Sequence, residues 1–183
     1  MLFTDIRGFT PFSEKREPEE VITMLNCYLG FQAEIVQECE GSVDKFVGDE
    51  MMALFTGSLA LDHAVDYAQR IMRRVEQEQA GDPLPIHIGV GINCGPAILG
   101  NMGALNRMDY TANCATVNLG ARLMQVAGPG QILMAAAQLQ KLTSPIHVLS
   151  RESMAFKGLS EEIEVAEIGY SEAPPDKAET ADA

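Results

Sequence analysis

Ile86, Ile88, Val90 and Ile92 alternate through the stretch IHIGVGIN, and Gly89 and Gly91 occupy the opposite face. Strict alternation predicts a strand with one apolar face. Two glycines on its other face leave that side bare, which predicts the close approach of another backbone. This one stretch constrains the fold more than any other: it calls for a sheet with something packed hard against it.

The segments before it supply the rest of that sheet. Met1 to Asp5 is a short apolar strand. Pro18 suits a first helical position, with Glu19 and Glu20 complementing the positive helix start. Ile22, Leu25, Leu29 and Val36 follow at helical spacing, and Gly41 is expected to end the run. Ser42 to Val47 and Met51 to Phe55 read as two strands joined by a tight turn at Gly48-Asp49. A second amphipathic helix is expected from about Leu61 to Gln79, with Leu61, Ala64, Ala68, Ile71 and Val75 on one face. The order is β-α-β-β-α-β, which predicts an α+β fold: a ferredoxin-like core with a mostly antiparallel sheet and both helices on one side.

The second half extends that core by a C-terminal βαβ-type subdomain. Arg107 to Ala112 reads as a strand, Thr116 to Val126 as a helix, Gln131 to Met134 as a strand and Ala136 to Leu142 as a short helix. Phe156–Gly158 and Glu162–Ile168 are expected as closing strands, and Gly100 and Gly103 in GNMG as a turn. One domain over 1–170 is expected. Residues 171–183, SEAPPDKAETADA, carry no apolar periodicity and predict a disordered tail or linker.

Charge narrows the functional classes. Thirteen Lys and Arg face 26 Asp and Glu, a net charge of −13. That argues against sequence-independent nucleic-acid binding, whose affinity comes from cations neutralising phosphates. No apolar run approaches the roughly 18–20 residues that span a bilayer, and Asp5 and Arg7 interrupt the start, against a signal peptide. Cys27, Cys39, Cys94 and Cys114 lack metal-type spacing and are expected as reduced thiols in a cytoplasmic setting. The chain opens in a strand already under way, which suggests a piece of a longer protein.

Several polar residues stand where chemistry is plausible. Asp5 ends the first strand and Asp49 lies in the hairpin turn; in the expected sheet these elements are neighbours. Two carboxylates at one edge suit Mg²⁺ or Mn²⁺, with the backbone carbonyl of Ile6 as a third oxygen. The alternative is that Asp49 merely favours the turn. Asn118 and Arg122 lie one helical turn apart and share a face; together they suit a sugar hydroxyl and a phosphate, or simply a solvated helix face. Lys45 points off an otherwise apolar strand, and Thr111 lies in DYTAN.

FTDIRGFT, DKFVGDEMMALF, GVGINCGPAILGNMG and DYTANCATVNLGARL occur in that order. Together they resemble the catalytic domain of the class III nucleotide cyclases, the adenylyl and guanylyl cyclases, over nearly the whole ordered chain. The resemblance implies that Asp5 and Asp49 bind two metal ions. It implies that Lys45 and Thr111 recognise adenine, and that Asn118 and Arg122 orient the ribose and stabilise the transition state. It further implies a head-to-tail homodimer with two composite sites, ATP as substrate, cyclic AMP and pyrophosphate as products, and a regulatory domain elsewhere in a longer chain. Lys45 can only donate and suits adenine N1, whereas the hydroxyl of Thr111 can accept from N6 or donate. A guanylyl cyclase usually has Glu at the Lys45 position. Lys157 falls near the region of the family's phosphate-binding lysine. The chain departs from the family at Cys114-Ala115, where a Gly-Asp pair is usual; losing that Asp is expected to weaken the cap of the following helix by about 1 kcal/mol. The alternatives are a guanylyl cyclase and an inactive nucleotide-binding or dimerisation module.

Overall fold

The structure is a computed structural model that describes residues 1–78, 86–104 and 106–171. Its strands are β1 (Leu2–Arg7), β2 (Gly41–Val47), β3 (Glu50–Phe55), β4 (His87–Ile92), β5 (Ile98–Ala104), β6 (Arg107–Asn113), β7 (Ile132–Ala135), β8 (Val148–Met154) and β9 (Ile163–Ile168). Its helices are α1 (Phe9–Ser13), α2 (Pro18–Glu38), α3 (Ala60–Glu78) and α4 (Ala115–Val126), with a 3-10 turn over Ala136–Lys141.

Seven strands form one sheet in the order β2-β3-β1-β4-β7-β9-β8. The first four give the expected ferredoxin-like arrangement. β1 runs antiparallel between β3 and β4, and β2 pairs antiparallel with β3. β7 lies parallel to β4, reached through α4, so the C-terminal half adds a βαβ-type extension to the same sheet. β5 and β6 pair only with each other, as a separate two-stranded arm.

The sheet has two covered faces. Leu2, Ile6, Met51, Ala53, Ile88, Val90 and Ile92 pack with Tyr67, Ile71 and Val75 of α3 and Phe31 and Val36 of α2. Side chains such as Ile71 and Ile88 are fully buried, each worth roughly 1.5–3 kcal/mol relative to exposure. On the reverse face, Phe3, Met52 and Leu54 meet Val117 and Met124 of α4. Period-two alternation thus decides which side chains see which helix layer.

The glycine face of β4 does two separate things. A Cβ at Gly91 would stand 2.2 Å from the Met124 amide nitrogen and 2.4 Å from the Gly120 carbonyl oxygen, so α4 rides directly on the strand. A Cβ at Gly89 would stand 2.4 Å from the Arg7 guanidinium, which fills the space the glycine leaves.

Three expectations need correction. α2 ends at Glu38, and the left-handed residue after it is Glu40 (φ 58), not Gly41. Gly41 is required by packing instead, since a Cβ there would lie 2.5 Å from the Phe55 ring. GNMG lies inside β5 rather than in a turn. Phe156–Gly158 is a loop, not a strand: Phe156 is apolar because it plugs a small core with Leu123 and Val165. The strand is β8, a mostly exposed edge whose polar LSRES run hides any alternation. The second helix is described as far as Glu78; Gln79 lies outside the described residues, as does residue 172 onward of the expected tail.

Candidate active site

β1 outruns β3. Its pairing with β3 stops at Thr4, while pairing with β4 continues through Arg7. The unpaired edge of Asp5 to Arg7 therefore opens a cleft of about 300 Å³, walled by Asp5, Ile6, Arg7, the Gly8–Pro11 segment that enters α1, and Asp49. Gly8, at φ 78, makes the left-handed turn from strand to helix. Val47 pairs with Glu50, leaving Gly48-Asp49 as a two-residue hairpin loop with Gly48 at φ 64. That tight turn delivers Asp49 to the end of β1.

Asp5, Ile6 and Asp49 are thus brought together at one place. Burial raises the pKa of Asp49; its own amide lowers it, and a charge and a hydrogen bond from Asp5 raise it again. Burial also raises Glu50, with the charges of Asp5 and Asp49 adding to the effect. Three carboxyls crowd one corner, and crowding of this kind is relieved by a cation. Among the described residues no group of three or more His, Cys, Asp or Glu could hold a metal ion by itself. A pair of aspartates plus a backbone carbonyl is nonetheless the donor set that suits Mg²⁺, which keeps remaining positions for water and substrate phosphates. The residues fit the ion.

Arg7 was not singled out in the sequence, yet it sits at the centre of this corner. Its Nη1 lies 2.5 Å from Asp5 Oδ2, and its Nη2 donates to the Met124 carbonyl in the last turn of α4. A cation there is favoured by the helix dipole. Arg7 therefore ties the Asp5 carboxylate to α4. The available signal was Gly89, whose missing side chain makes room for the guanidinium.

Lys45 and Thr111 are joined through a residue whose role was also missed. Thr111 Oγ1 donates to Asp44 Oδ2 at 2.7 Å, and Lys45 Nζ lies 3.4 Å from the same oxygen. Thr111 is buried and Lys45 partly open.

α4 carries Asn118, which is exposed, and Arg122, which is half-buried. Neither lines the Asp5–Asp49 cleft. Arg122 instead faces the loop after β8: a Cβ on Gly158 would lie 3.5 Å from its Nη2. The start of α4 tolerates the unusual Cys114-Ala115. Cys114 is the N-cap with extended backbone (φ −177, ψ 176), which any residue adopts. It makes no capping hydrogen bond of ordinary geometry. Burial raises its thiol, yet the Val117 amide and the Thr116 hydroxyl and amide bring it below the usual value. Thr116 Oγ1 donates to the Pro96 carbonyl at 2.9 Å, and Asn93 Nδ2 donates to the Thr116 carbonyl at 3.0 Å. These bonds hold the helix start without the missing Asp.

The family model for the adenylate and guanylate cyclase catalytic domain matches residues 1–168. The chain is 35% identical over 178 residues to a terminal-differentiation-specific adenylate cyclase of Dictyostelium discoideum. It is 33% identical over 181 residues to an adenylate cyclase of Anabaena cylindrica. Each alignment covers 92% of this chain, but only 8% and 36% of those two relatives, so the chain spans a minor part of their length. The crystal structure of the adenylyl cyclase CyaB from P. aeruginosa superposes with a TM-score of 0.84 at 32% identity, covering 93% of this chain and 92% of that one. The guanylyl cyclase Cya2 superposes with a TM-score of 0.80 at 29% identity, covering 96% of this chain and 93% of that one. Likeness in sequence and in shape runs from β1 to β9, and on that footing the chain belongs to the adenylate and guanylate cyclase catalytic-domain family.

Proposed function

We propose that this chain is an adenylyl cyclase domain, residues 1–170, which converts ATP to 3′,5′-cyclic AMP and pyrophosphate in sites shared between two copies. The observation that carries the reading is the meeting of Asp5 and Asp49 in one cleft, with the pKa of Asp49 raised by burial and by its neighbour. Folding two carboxylates together is costly unless something positive is meant to join them. Bound Mg²⁺ or Mn²⁺, two ions to a site, would lower the pKa of the ribose 3′-hydroxyl and neutralise charge on the triphosphate.

The chain's own residues would do the rest. Asp5, Asp49 and the Ile6 carbonyl hold the ions against the triphosphate. Lys45 donates to adenine N1, and Thr111 accepts from the N6 amino group. Asn118 orients the ribose so that its 3′-oxygen faces the α-phosphorus. As that bond forms and the bond to pyrophosphate breaks, charge gathers on the α-phosphoryl oxygens. Arg122 offers its guanidinium donors there, a contribution worth about 10²–10³ in rate by analogy with oxyanion-type sites. Lys157, next in sequence to the Gly158 that Arg122 faces, would add a cation for the phosphates.

A second copy supplies what one copy lacks. Asn118 and Arg122 do not line the metal cleft, and the β5–β6 arm exposes Ile98, Met102, Met108 and Tyr110. An apolar arm of this kind is suited to an interface. Head-to-tail pairing would carry Arg122 of one protomer to the Asp5–Asp49 cleft of the other. The relatives are far longer than this chain, which supports a regulatory domain elsewhere in a longer protein.

The test is direct. Purified protein is incubated with Mn²⁺ and either ATP or GTP, and each cyclic product is measured beside an Asp49→Ala control. Cyclic AMP from the native protein alone is expected. Cyclic GMP in its place would favour the guanylyl reading that the likeness to Cya2 supports. No product from either nucleotide would overturn catalysis.

A further inference from the structure

β2 breaks register at Asp44. Val43 pairs with Ala53 and Lys45 with the next residue back, Met52, so Asp44 is the extra residue of a bulge. A bulge re-aims a side chain, and this one turns its carboxyl inward until it is 2% exposed. There it meets both groups assigned above to the base: Thr111 donates its hydroxyl proton to Oδ2 at 2.7 Å, and Lys45 Nζ lies 3.4 Å from the same atom.

A threonine hydroxyl has one proton and two lone pairs. Thr111 is 6% exposed, so little water competes for that proton. Once the proton is committed to Asp44, only lone pairs remain for a ligand. Lys45 cannot discriminate by itself, because an ammonium donates equally to adenine N1 and to a carbonyl oxygen at ring position 6. The choice falls to Thr111, and Thr111 takes its polarity from its partner.

We infer that Asp44, through its hydrogen bond from Thr111, is a positioning residue that makes the site select a purine with an amino group at position 6 over one with a carbonyl there. The inference rests on the assignment of Lys45 and Thr111 to the base. Without Asp44 the hydroxyl is free to rotate and donate, and a 6-oxo purine is then accepted. The competing account is that Asp44 only neutralises Lys45 and braces the hairpin.

The experiment compares kcat/KM for ATP and for inosine triphosphate, a nucleotide with a carbonyl in place of the 6-amino group. In Asp44→Ala the ATP preference is expected to fall about tenfold, the scale of one hydrogen bond. Asp44→Asn keeps an acceptor oxygen in the same place and is expected to retain most of the preference. In a Thr111→Val background, Asp44→Ala is expected to leave the ratio nearly unchanged, since the hydroxyl it orients is gone. An Asp44→Ala protein that slows on both nucleotides alike, with its ratio intact, overturns the inference and leaves Asp44 a brace. If that variant does not fold, Thr111→Val and Asp44→Asn decide together: an unaltered ratio in Thr111→Val, or a ratio lost in Asp44→Asn, overturns the proposal, and a ratio lost in the first but kept in the second upholds it. A native protein that cyclises nothing sinks the catalytic reading only. The same ratio, read as competition of ATP and inosine triphosphate against a fluorescent ATP analogue, still decides this one.

Discussion

Asp49 shows how one residue sets a compromise between stability and function. Its folded carboxyl holds a proton more tightly than the usual 3.8 because burial and Asp5 oppose its charge. The sign follows: the stability this gives is present below the unfolded value and is lost as pH rises through the higher folded one. At neutral pH the metal-free domain therefore carries a crowded corner that Arg7 compensates only in part. Asp49→Asn is expected to raise the metal-free melting temperature at pH 7.5, on the order of 2 °C at about 2–4 °C per kcal/mol. Added Mn²⁺ should then stabilise the native protein and not the variant. Differential scanning fluorimetry across pH, with and without Mn²⁺, reads both effects; a variant that melts lower than native without metal contradicts the account. The candidate site residues were legible in the sequence: Asp5, Asp49, Lys45, Thr111, Asn118 and Arg122 could all be named from motifs. Arg7 and Asp44 could not be assigned, because their partners lie on other elements. Arg7 needs Gly89 and the end of α4, and Asp44 needs a bulge and Thr111.

At the scale of elements, α4 is the part on which the site most depends. Its seat is made by Gly91 and by its own Gly120, which lies against the Phe3 ring. Gly91→Ala would press a methyl group into backbone atoms that cannot move aside, and is expected to cost about 1–3 kcal/mol or more. Because Asn118 and Arg122 ride on that helix, kcat should drop more than nucleotide binding does; chemical denaturation and steady-state kinetics on the one variant test the pairing. The same helix has room for improvement at its start. Cys114 is a weak cap, and serine is a strong one, so Cys114→Ser is expected to add about 0.5–1 kcal/mol, visible as a higher melting temperature with the fold unchanged. Alternation in IHIGVGIN foretold that something would approach the glycine face of β4. It did not say that one glycine would admit a side chain and the other a helix, since both leave the same blank in a periodicity.

The molecule is a sheet with helices on both faces and an arm that, among the described residues, pairs with no other strand. Ile98 is 79% exposed on that arm and Tyr110 65%, a costly presentation for a free monomer. If a second copy covers it, specific activity should fall on dilution, and Tyr110→Arg should shift the protein towards monomer in analytical ultracentrifugation. Mixing Asp49→Ala with Arg122→Ala protein should restore activity that neither has alone, because one mixed site is then intact; no rescue would place both residues in the same chain's site. The sequence by itself determined the β-α-β-β-α-β order and the buried faces of β4 and α3, and it named the candidate site residues by type. Those follow from local periodicity, turn chemistry and residue type, which act over a few positions. Only the tertiary structure decided that β1 runs past β3 to open the cleft, that β5 and β6 stand apart from the main sheet, that a polar edge strand closes it, and that Asp44 turns inward to Thr111. Each of these is a matter of register between segments distant in the chain, where pairing and packing with a partner outweigh the preferences of the segment alone.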